Sequence, residues 1–171
     1  MIIDLSEIIR DVDARVMLDN DIEFEPIEFL GESFVFSKPL HIKGSICNNS
    51  KSLELKAEVS GAMGANCARC REPLSVEVRF DIDEVIMQNA DGLDDEDVIV
   101  IEGESIDIKE VVLYNFLMNV SGKYLCSDDC KGLCPKCGVN LNLESCTCDD
   151  DEIDPRWAKL AEIMKNSSDT K

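Results

Sequence analysis

With 171 residues, 44% of them hydrophobic, the chain has material for one ordinary domain with a real core and a small satellite. Its 36 acidic residues outweigh 17 basic ones to leave a formal charge of −19 and a pI near 4.2. A surface of that sign repels phosphate backbones and steers cationic proteins inward, which disfavours non-specific nucleic-acid binding. No stretch approaches the ~18 continuous apolar residues of a membrane span. Residues 1–12 carry Asp4, Glu7 and Asp11 where a secretory signal would be cationic and apolar. The expectation is a cytoplasmic protein with no membrane contact, its nine cysteines kept reduced.

Met1–Asp4 reads as a short edge strand, and Ser6 with Glu7, Ile8 and Ile9 as one capped helical turn. From Arg15 the pattern turns to strands. Val16, Leu18, Ile22 and Phe24 recur among acidic residues, with Asn20-Asp21 suggesting a turn or bulge. Phe34-Val35-Phe36 is a short strand; Leu40, Ile42 and Ile46 alternate with His41, Lys43 and Ser45, which makes His41 a structural strand residue. Asn48-Asn49-Ser50 reads as a hairpin connection. Leu53, Leu55, Ala57 and Val59 then alternate with Glu54, Lys56 and Glu58, the signature of a half-buried strand. Leu74, Val76, Val78, Phe80 and Ile82 repeat it. Between these two strands lies a first Cys-x-x-Cys pair, Cys67 and Cys70, expected at a hairpin end.

Residues 89–97, NADGLDDED, read as a solvated acidic connection, followed by an apolar strand at Val98–Ile101. Asp107 can cap a helix with Glu110 three residues on, and Val111, Val112, Leu113, Phe116, Leu117 and Val120 cover more than one stripe of it. A helix over 107–120 that is apolar so broadly is buried against a sheet or a partner, and Gly122 is the expected stop. Asp154-Pro155 opens a second helix whose stripe of Trp157, Leu160, Ile163 and Met164 needs a surface to dock on. The fold class is therefore α+β: a mainly antiparallel sheet or partly closed barrel, one buried helix, a cysteine-rich segment and a terminal helix. The division expected is a β-rich core over 1–122, a cysteine segment plus docking helix over 123–165, and a frayed tail over 166–171.

The densest chemistry lies from Cys126 to Cys148, which holds six of the nine cysteines among glycines and charges. Cys134-Pro-Lys-Cys137-Gly138 has the form of a zinc knuckle, in which two thiolates point at one ion and the glycine turns backbone amides toward the sulfurs. Buried apolar thiols have no reason to gather in so polar a stretch. Zinc suits such a set, being borderline-soft, redox-inert and content with four tetrahedral sulfurs. One or two structural Zn2+ ions are expected. Cys134 and Cys137 are the first ligands, Cys126 and Cys130 the preferred completion, Cys146 and Cys148 the close alternative, and Cys67 and Cys70 the longer-range one. Cys47 has no ligand role.

Three strings occur here in a fixed order: Cys67-Ala-Arg-Cys70-Arg-Glu-Pro73, then Cys126-x-x-x-Cys130-Lys-Gly-Leu-Cys134-Pro-x-Cys137-Gly-x-Asn140-Leu-Asn142, then Asp154-Pro-Arg156. In this the chain resembles the YceD family, the large ribosomal RNA subunit accumulation proteins, from its opening Ile-Asp-Leu to its final helix. The resemblance implies a cytoplasmic ribosome-biogenesis protein that supports normal levels of 23S rRNA. Some members of that family keep the first Cys-x-x-Cys and lack most of the later cysteines, which suits a local fold staple or docking module.

Two functional classes are weighed on these residues. The first is a non-enzymatic assembly factor that binds a precursor of the large ribosomal subunit or a basic ribosomal protein, consistent with the acidic surface. Arg69, Arg71, Lys123, Lys131 and Lys136 near the cysteine pairs are the candidates for partner contact, RNA included, and Trp157 is an apolar one. The second is an enzyme, either a thiol oxidoreductase at Cys67/Cys70 or a zinc hydrolase. The redox form lacks a strand–helix context, because both flanks of that pair read as strands. The hydrolytic form wants an open coordination position and usually histidine, of which the chain has one. Gly61 and Gly64 lack the lysine and helix of a phosphate loop. The first class is the expectation.

Overall fold

A computed structural model describes residues 1–29, 31–88 and 98–148. The element order is β1 (Ile2–Asp4), α1 (Ser6–Arg10), β2 (Arg15–Ile22), β3 (Ile27–Phe29), β4 (Glu32–Phe36), β5 (Leu40–Asn48), β6 (Leu53–Asn66), β7 (Pro73–Met87), β8 (Val98–Val100), β9 (Ser105–Asp107) and α2 (Ile108–Asn119). The expected acidic connection at 89–97, the docking helix with Trp157 and the tail over 166–171 lie outside the described residues.

The long hairpin of β6 and β7 is the spine. These strands pair antiparallel along their whole shared length, from Leu53 opposite Ile86 to Asn66 opposite Pro73. The other edge of β6 is divided between two partners. β5 takes Leu53–Ser60, and β4 takes Met63 and Gly64 near the tip. β2 pairs with β5 outside it, β3 with β4, and β8 adds to β7 in parallel. A separate two-stranded ribbon of β1 and β9 leads into α2. The sheet is mainly antiparallel and open among the described residues, so the barrel alternative is corrected: β2 and β8 lie on opposite sides of the hairpin and do not meet.

Period-two patterning explains which face is covered. Leu53, Leu55, Ala57 and Val59 are all buried, as are Val78, Phe80 and Ile82 on the neighbouring strand. α2 packs over that face against β7, and Phe116 meets Phe34 and Phe36 edge-on at centroid distances of 5.7 and 5.0 Å. Asp107 caps the helix by accepting from the Lys109 amide at 3.0 Å. The helix ends earlier than Gly122. Val120 is already extended, and Asn119 turns its side chain back to the Asn115 carbonyl at 2.8 Å.

The opposite face is turned to solvent and carries charge in rows set by the register. Asp19, Lys43, Glu58 and Asp81 lie side by side across β2, β5, β6 and β7. Arg79 pairs with Glu58 at 2.6 Å, and His41 sits between Asp21 and Asp19 at 2.9 and 3.4 Å. Asn20 and Asp21 form no turn or bulge: they pair in register with Ile42 and His41 inside β2. Acidic residues there reflect a solvated strand face, not a chain break.

Candidate metal centre

The tip of the β6–β7 hairpin is a knuckle. Cys67 donates its amide to the Glu72 carbonyl at 2.8 Å, and the Arg71 amide returns to the Cys67 carbonyl at 2.9 Å. Arg71 takes a left-handed φ of 64° to make that turn. The same construction recurs at Cys134-Pro-Lys-Cys137-Gly138. There the Cys134 amide meets the Val139 carbonyl at 2.8 Å, the Gly138 amide meets the Cys134 carbonyl at 2.9 Å, and Gly138 has φ 75°. Each knuckle thus presents two thiols three residues apart, with amides turned toward the first sulfur; Lys136 N lies 3.4 Å from Cys134 Sγ.

The C-terminal segment is fastened to the hairpin tip at several points. Tyr124 pairs in parallel with Cys67 and accepts from the Ala68 amide at 2.8 Å. Arg69 donates from Nη1 to the carbonyls of Asp128 and Cys130 at 3.1 and 2.9 Å. The Leu133 amide meets the Arg69 carbonyl at 3.1 Å. Gly132, at φ 76°, lies so close to Arg69 that a Cβ would stand 3.2 Å from its carbonyl oxygen.

These contacts gather eight thiols into two sets of four. Cys67, Cys70, Cys126 and Cys130 form one, Cys134, Cys137, Cys146 and Cys148 the other, each with its sulfurs within 4.8 Å of one another. A tetrahedron with metal–sulfur bonds of ~2.3 Å has edges of about 3.8 Å. In the first set Cys67–Cys130 and Cys70–Cys126 are 3.8 and 3.6 Å apart. In the second, Cys137–Cys146 and Cys134–Cys146 are 3.6 and 3.3 Å apart. All eight thiols are free of disulfides. The donor sets fit a four-coordinate thiophilic ion apiece.

The grouping differs from the sequence-based preference. Cys126 and Cys130 do not complete the Cys134/Cys137 site; they join Cys67 and Cys70, while Cys146 and Cys148 join Cys134 and Cys137. Cys130 closes a tight turn back to Ser127 through its amide at 3.1 Å. Cys47 lies on β5 near Ser45 Oγ, at 3.6 Å, away from both sets. Arg71, Lys131 and Lys136 are exposed around the knuckles, whereas Arg69 also fastens the segment internally. Trp157 lies outside the described residues.

Sequence reasoning names Asn142 only within the longest of the three strings and gives it no site role. Its Nδ2 donates to Cys130 Sγ at 3.3 Å and its Oδ1 accepts from the Lys131 amide at 2.8 Å. The available signal was an asparagine a few residues beyond the Cys-Gly of a knuckle.

The electrostatics divide each set between a thiolate former and a proton holder. The Cys70 amide holds the Cys67 thiol down at about 6 against the effect of burial, helped by the amides of Cys126 and Arg69. The Glu72 amide favours the Cys70 thiolate, yet burial and the thiols of Cys67, Cys126 and Cys130 push Cys70 up to about 12. Burial opposes ionisation of Cys130, but the Asn142 side chain and the Gly132 amide bring it below the ordinary cysteine value. In the second set the Cys137 and Lys136 amides lower Cys134 to about 6, while the neighbouring thiols Cys146 and Cys137 raise Cys148 to about 12. A cation entering either set displaces the protons that the thiols cannot all lose alone.

Comparison with known proteins adds to this geometry. The family described as "Large ribosomal RNA subunit accumulation protein YceD" matches residues 55–164. An uncharacterized protein of Mycobacterium tuberculosis is 30% identical over 125 residues, which cover 71% of this chain and 60% of the relative. The chain therefore spans 60% of the length of the mycobacterial relatives it matches. The Bacillus subtilis protein YlbN is 25% identical over 154 residues, covering 89% of this chain and 90% of that one. A chloroplastic YCED homolog of Arabidopsis thaliana, named a large ribosomal RNA subunit accumulation protein, is 31% identical over 64 residues, 37% of this chain and 20% of its own. No solved structure matches.

Proposed function

The chain belongs to the YceD family, whose name is large ribosomal RNA subunit accumulation protein, and from that membership we propose that it is a non-enzymatic factor of large-subunit biogenesis. It supports 23S rRNA accumulation in the cytoplasm by binding a basic ribosomal protein or an rRNA–protein intermediate. The family match is the observation that carries this reading.

Two structural zinc ions belong to it, one held by Cys67, Cys70, Cys126 and Cys130, the other by Cys134, Cys137, Cys146 and Cys148. Four-thiolate sets with all positions supplied by protein leave no open coordination position for a substrate, which favours a structural over a hydrolytic role. Zinc would supply a cross-link between the chain segments that carry the thiols; the protein supplies the amide donors that stabilise those thiolates.

Charge distribution supports a division of labour. Residues 67–73 and 121–148 carry five basic and four acidic side chains, against twelve basic and thirty-two acidic in the rest of the chain. The acidic rows on the solvent face of the sheet suit a cationic ribosomal protein, while Arg71, Lys131 and Lys136 offer the knuckle region to the phosphates of an intermediate. Arg69, with two carbonyls already engaged, contributes there mainly by fastening the segment.

The test is sedimentation of a tagged, functional protein through a gradient resolving precursors of the large subunit. Co-migration with those particles, or capture of a basic ribosomal protein at low salt, is the expected result. A protein that sustains rRNA levels yet never meets either would sink the binder reading. Elemental analysis of protein purified without chelator should find two zincs per chain, and none would remove the metal from the proposal.

A further inference from the structure

We propose that Asn142 is a positioning residue that couples the two cysteine sites, so that metal in the C-terminal site tightens metal binding in the site at the hairpin tip. The inference rests on the two-zinc reading above and adds a thermodynamic link between sites that share no ligand.

The orientation of the Asn142 amide is settled by its partners. A backbone N–H can only donate, so the Lys131 amide at 2.8 Å identifies the oxygen, and the nitrogen therefore faces Cys130 Sγ at 3.3 Å. The second N–H of that nitrogen goes to Asn140 Oδ1 at 2.9 Å, and Asn140 donates in turn to Glu72 Oε1 at 3.3 Å. Asn142 thus gives one site a side-chain donor on a ligand sulfur. A four-thiolate zinc site carries a net charge of −2, and N–H donors to its sulfurs spread that charge.

The residue itself belongs to the other site. It lies on the loop from Cys137 to Cys146, whose two ends are ligands of the C-terminal set. That loop runs back along residues 132–134: Cys134 pairs with Val139, Leu133 bridges Asn140, and the Leu141 amide reaches the Gly132 carbonyl at 2.9 Å. The Leu143 and Glu144 amides both turn to the Asn140 carbonyl at 3.0 Å on the way to Cys146. Metal bound at Cys134, Cys137, Cys146 and Cys148 closes this loop at both ends and holds Asn142 against Cys130. Without that closure the loop gains freedom and the donor is lost from the first site for part of the time. By linkage the effect is reciprocal.

The experiment withdraws zinc from the loaded 171-residue chain with graded chelator and follows alkylation of Cys67, Cys70, Cys126 and Cys130 by peptide mass mapping. Asn142→Ala should weaken zinc at these four thiols by about 10- to 100-fold, the usual effect of losing a second-layer partner. Cys137→Ser/Cys146→Ser should weaken it at least about fivefold. The triple variant should be no weaker than Asn142→Ala alone, because both changes remove the same hydrogen bond. Asn142→Asp keeps the acceptor for Lys131 and removes only the donor, so it should weaken zinc at least as much as alanine does; wild-type retention of zinc in Asn142→Asp would assign the alanine effect to a disturbed loop and overturn the donor role. Full retention of hairpin-tip zinc after loss of the second site would overturn the coupling, as would losses that multiply in the triple variant. A chain that binds no zinc at all would instead strike down the metal reading beneath it.

Discussion

The two cysteine sets use the same knuckle on very different chain lengths. At the hairpin tip, ligands 63 and 56 residues apart in sequence meet across a boundary between sheet and C-terminal segment. In the second set the paired ligands are only 9 and 12 residues apart, within one segment. Burial leans the same way, although Cys126 of the first set is exposed and Cys134 of the second is buried. Cys67, Cys70 and Cys130 form a small second core with Leu74, whereas Cys137 is exposed and Cys146 and Cys148 are half-buried. A cross-link closing roughly 60 residues constrains the unfolded chain by about 4 kcal/mol, and one closing roughly 15 by about 3 kcal/mol, if a metal bridge is treated like a disulfide. The entropy difference is small. What separates the sites is which structure depends on each: the first joins two layers of the molecule, the second shapes one loop.

Removing the first site should therefore have the wider effect. Cys67→Ser/Cys130→Ser is expected to cost about 4 kcal/mol and to free residues 121–148 from the hairpin tip. Amide exchange should rise at Ala68 and Leu133, whose partners lie across that boundary, while the pairing of β5, β6 and β7 stays protected. Global loss of sheet protection would mean that the knuckle nucleates the sheet instead of resting on it. Cys137→Ser/Cys146→Ser should cost about 3 kcal/mol, confined to residues 133–148 at saturating zinc. Faster exchange at Ala68 under that condition would erase the distinction between a joining site and a local one.

Acidification treats the sites alike and so tests what they share. In the metal-free protein Cys70 and Cys126 hold protons above the ordinary cysteine range in one set, and Cys146 and Cys148 do so in the other. Metal binding near neutrality must displace at least the protons on these raised thiols, so lowering the pH favours the metal-free form. Affinity should fall by at least about a hundredfold per pH unit there. The slope should steepen below about 6, where Cys67 and Cys134 also take up protons. A pH-independent affinity between 6 and 8 would mean that fewer thiols ligate than the two sets contain. Proton release measured during zinc titration provides the check.

Much of this was legible in the sequence because it depends on local pattern. Alternation over Leu53–Val59 and Leu74–Ile82 marks the central hairpin, Asp107 with Glu110 marks the helix start, and Cys134-Pro-Lys-Cys137-Gly138 marks a knuckle. Partner choice between cysteine pairs was not legible. Proximity in sequence favours Cys126/Cys130 with Cys134/Cys137, but the Tyr124–Cys67 bridge and the two bonds from Arg69 bring that pair to the hairpin tip first. Asn20-Asp21 misleads for a related reason. Turn-prone residues also serve on a solvated strand once a neighbour such as β5 supplies backbone partners. In each case a long-range pairing overrides a local preference.

The finest difference between the knuckles is the residue after the second cysteine. Gly138 occupies the left-handed position at φ 75° with nothing within 4 Å of a Cβ, while Arg71 occupies the equivalent position at φ 64°. An L side chain in that region costs roughly 1–2 kcal/mol relative to glycine. Gly138→Arg should then destabilise the zinc-loaded second site by about 1 kcal/mol through the backbone alone, with no steric penalty. Arg71→Gly should stabilise the first site by no more than about 1 kcal/mol, because added freedom in the unfolded chain offsets part of the relief. Keeping an arginine at a strained and exposed position is unexplained by the site itself, which glycine would serve better. On the binder reading proposed above, a partner contact would account for it. Arg71→Gly should therefore leave both zincs in place and raise thermal stability slightly, yet reduce co-sedimentation with large-subunit precursors. Undiminished co-sedimentation would assign Arg71 no part in the contact and shift the search to Lys131 and Lys136.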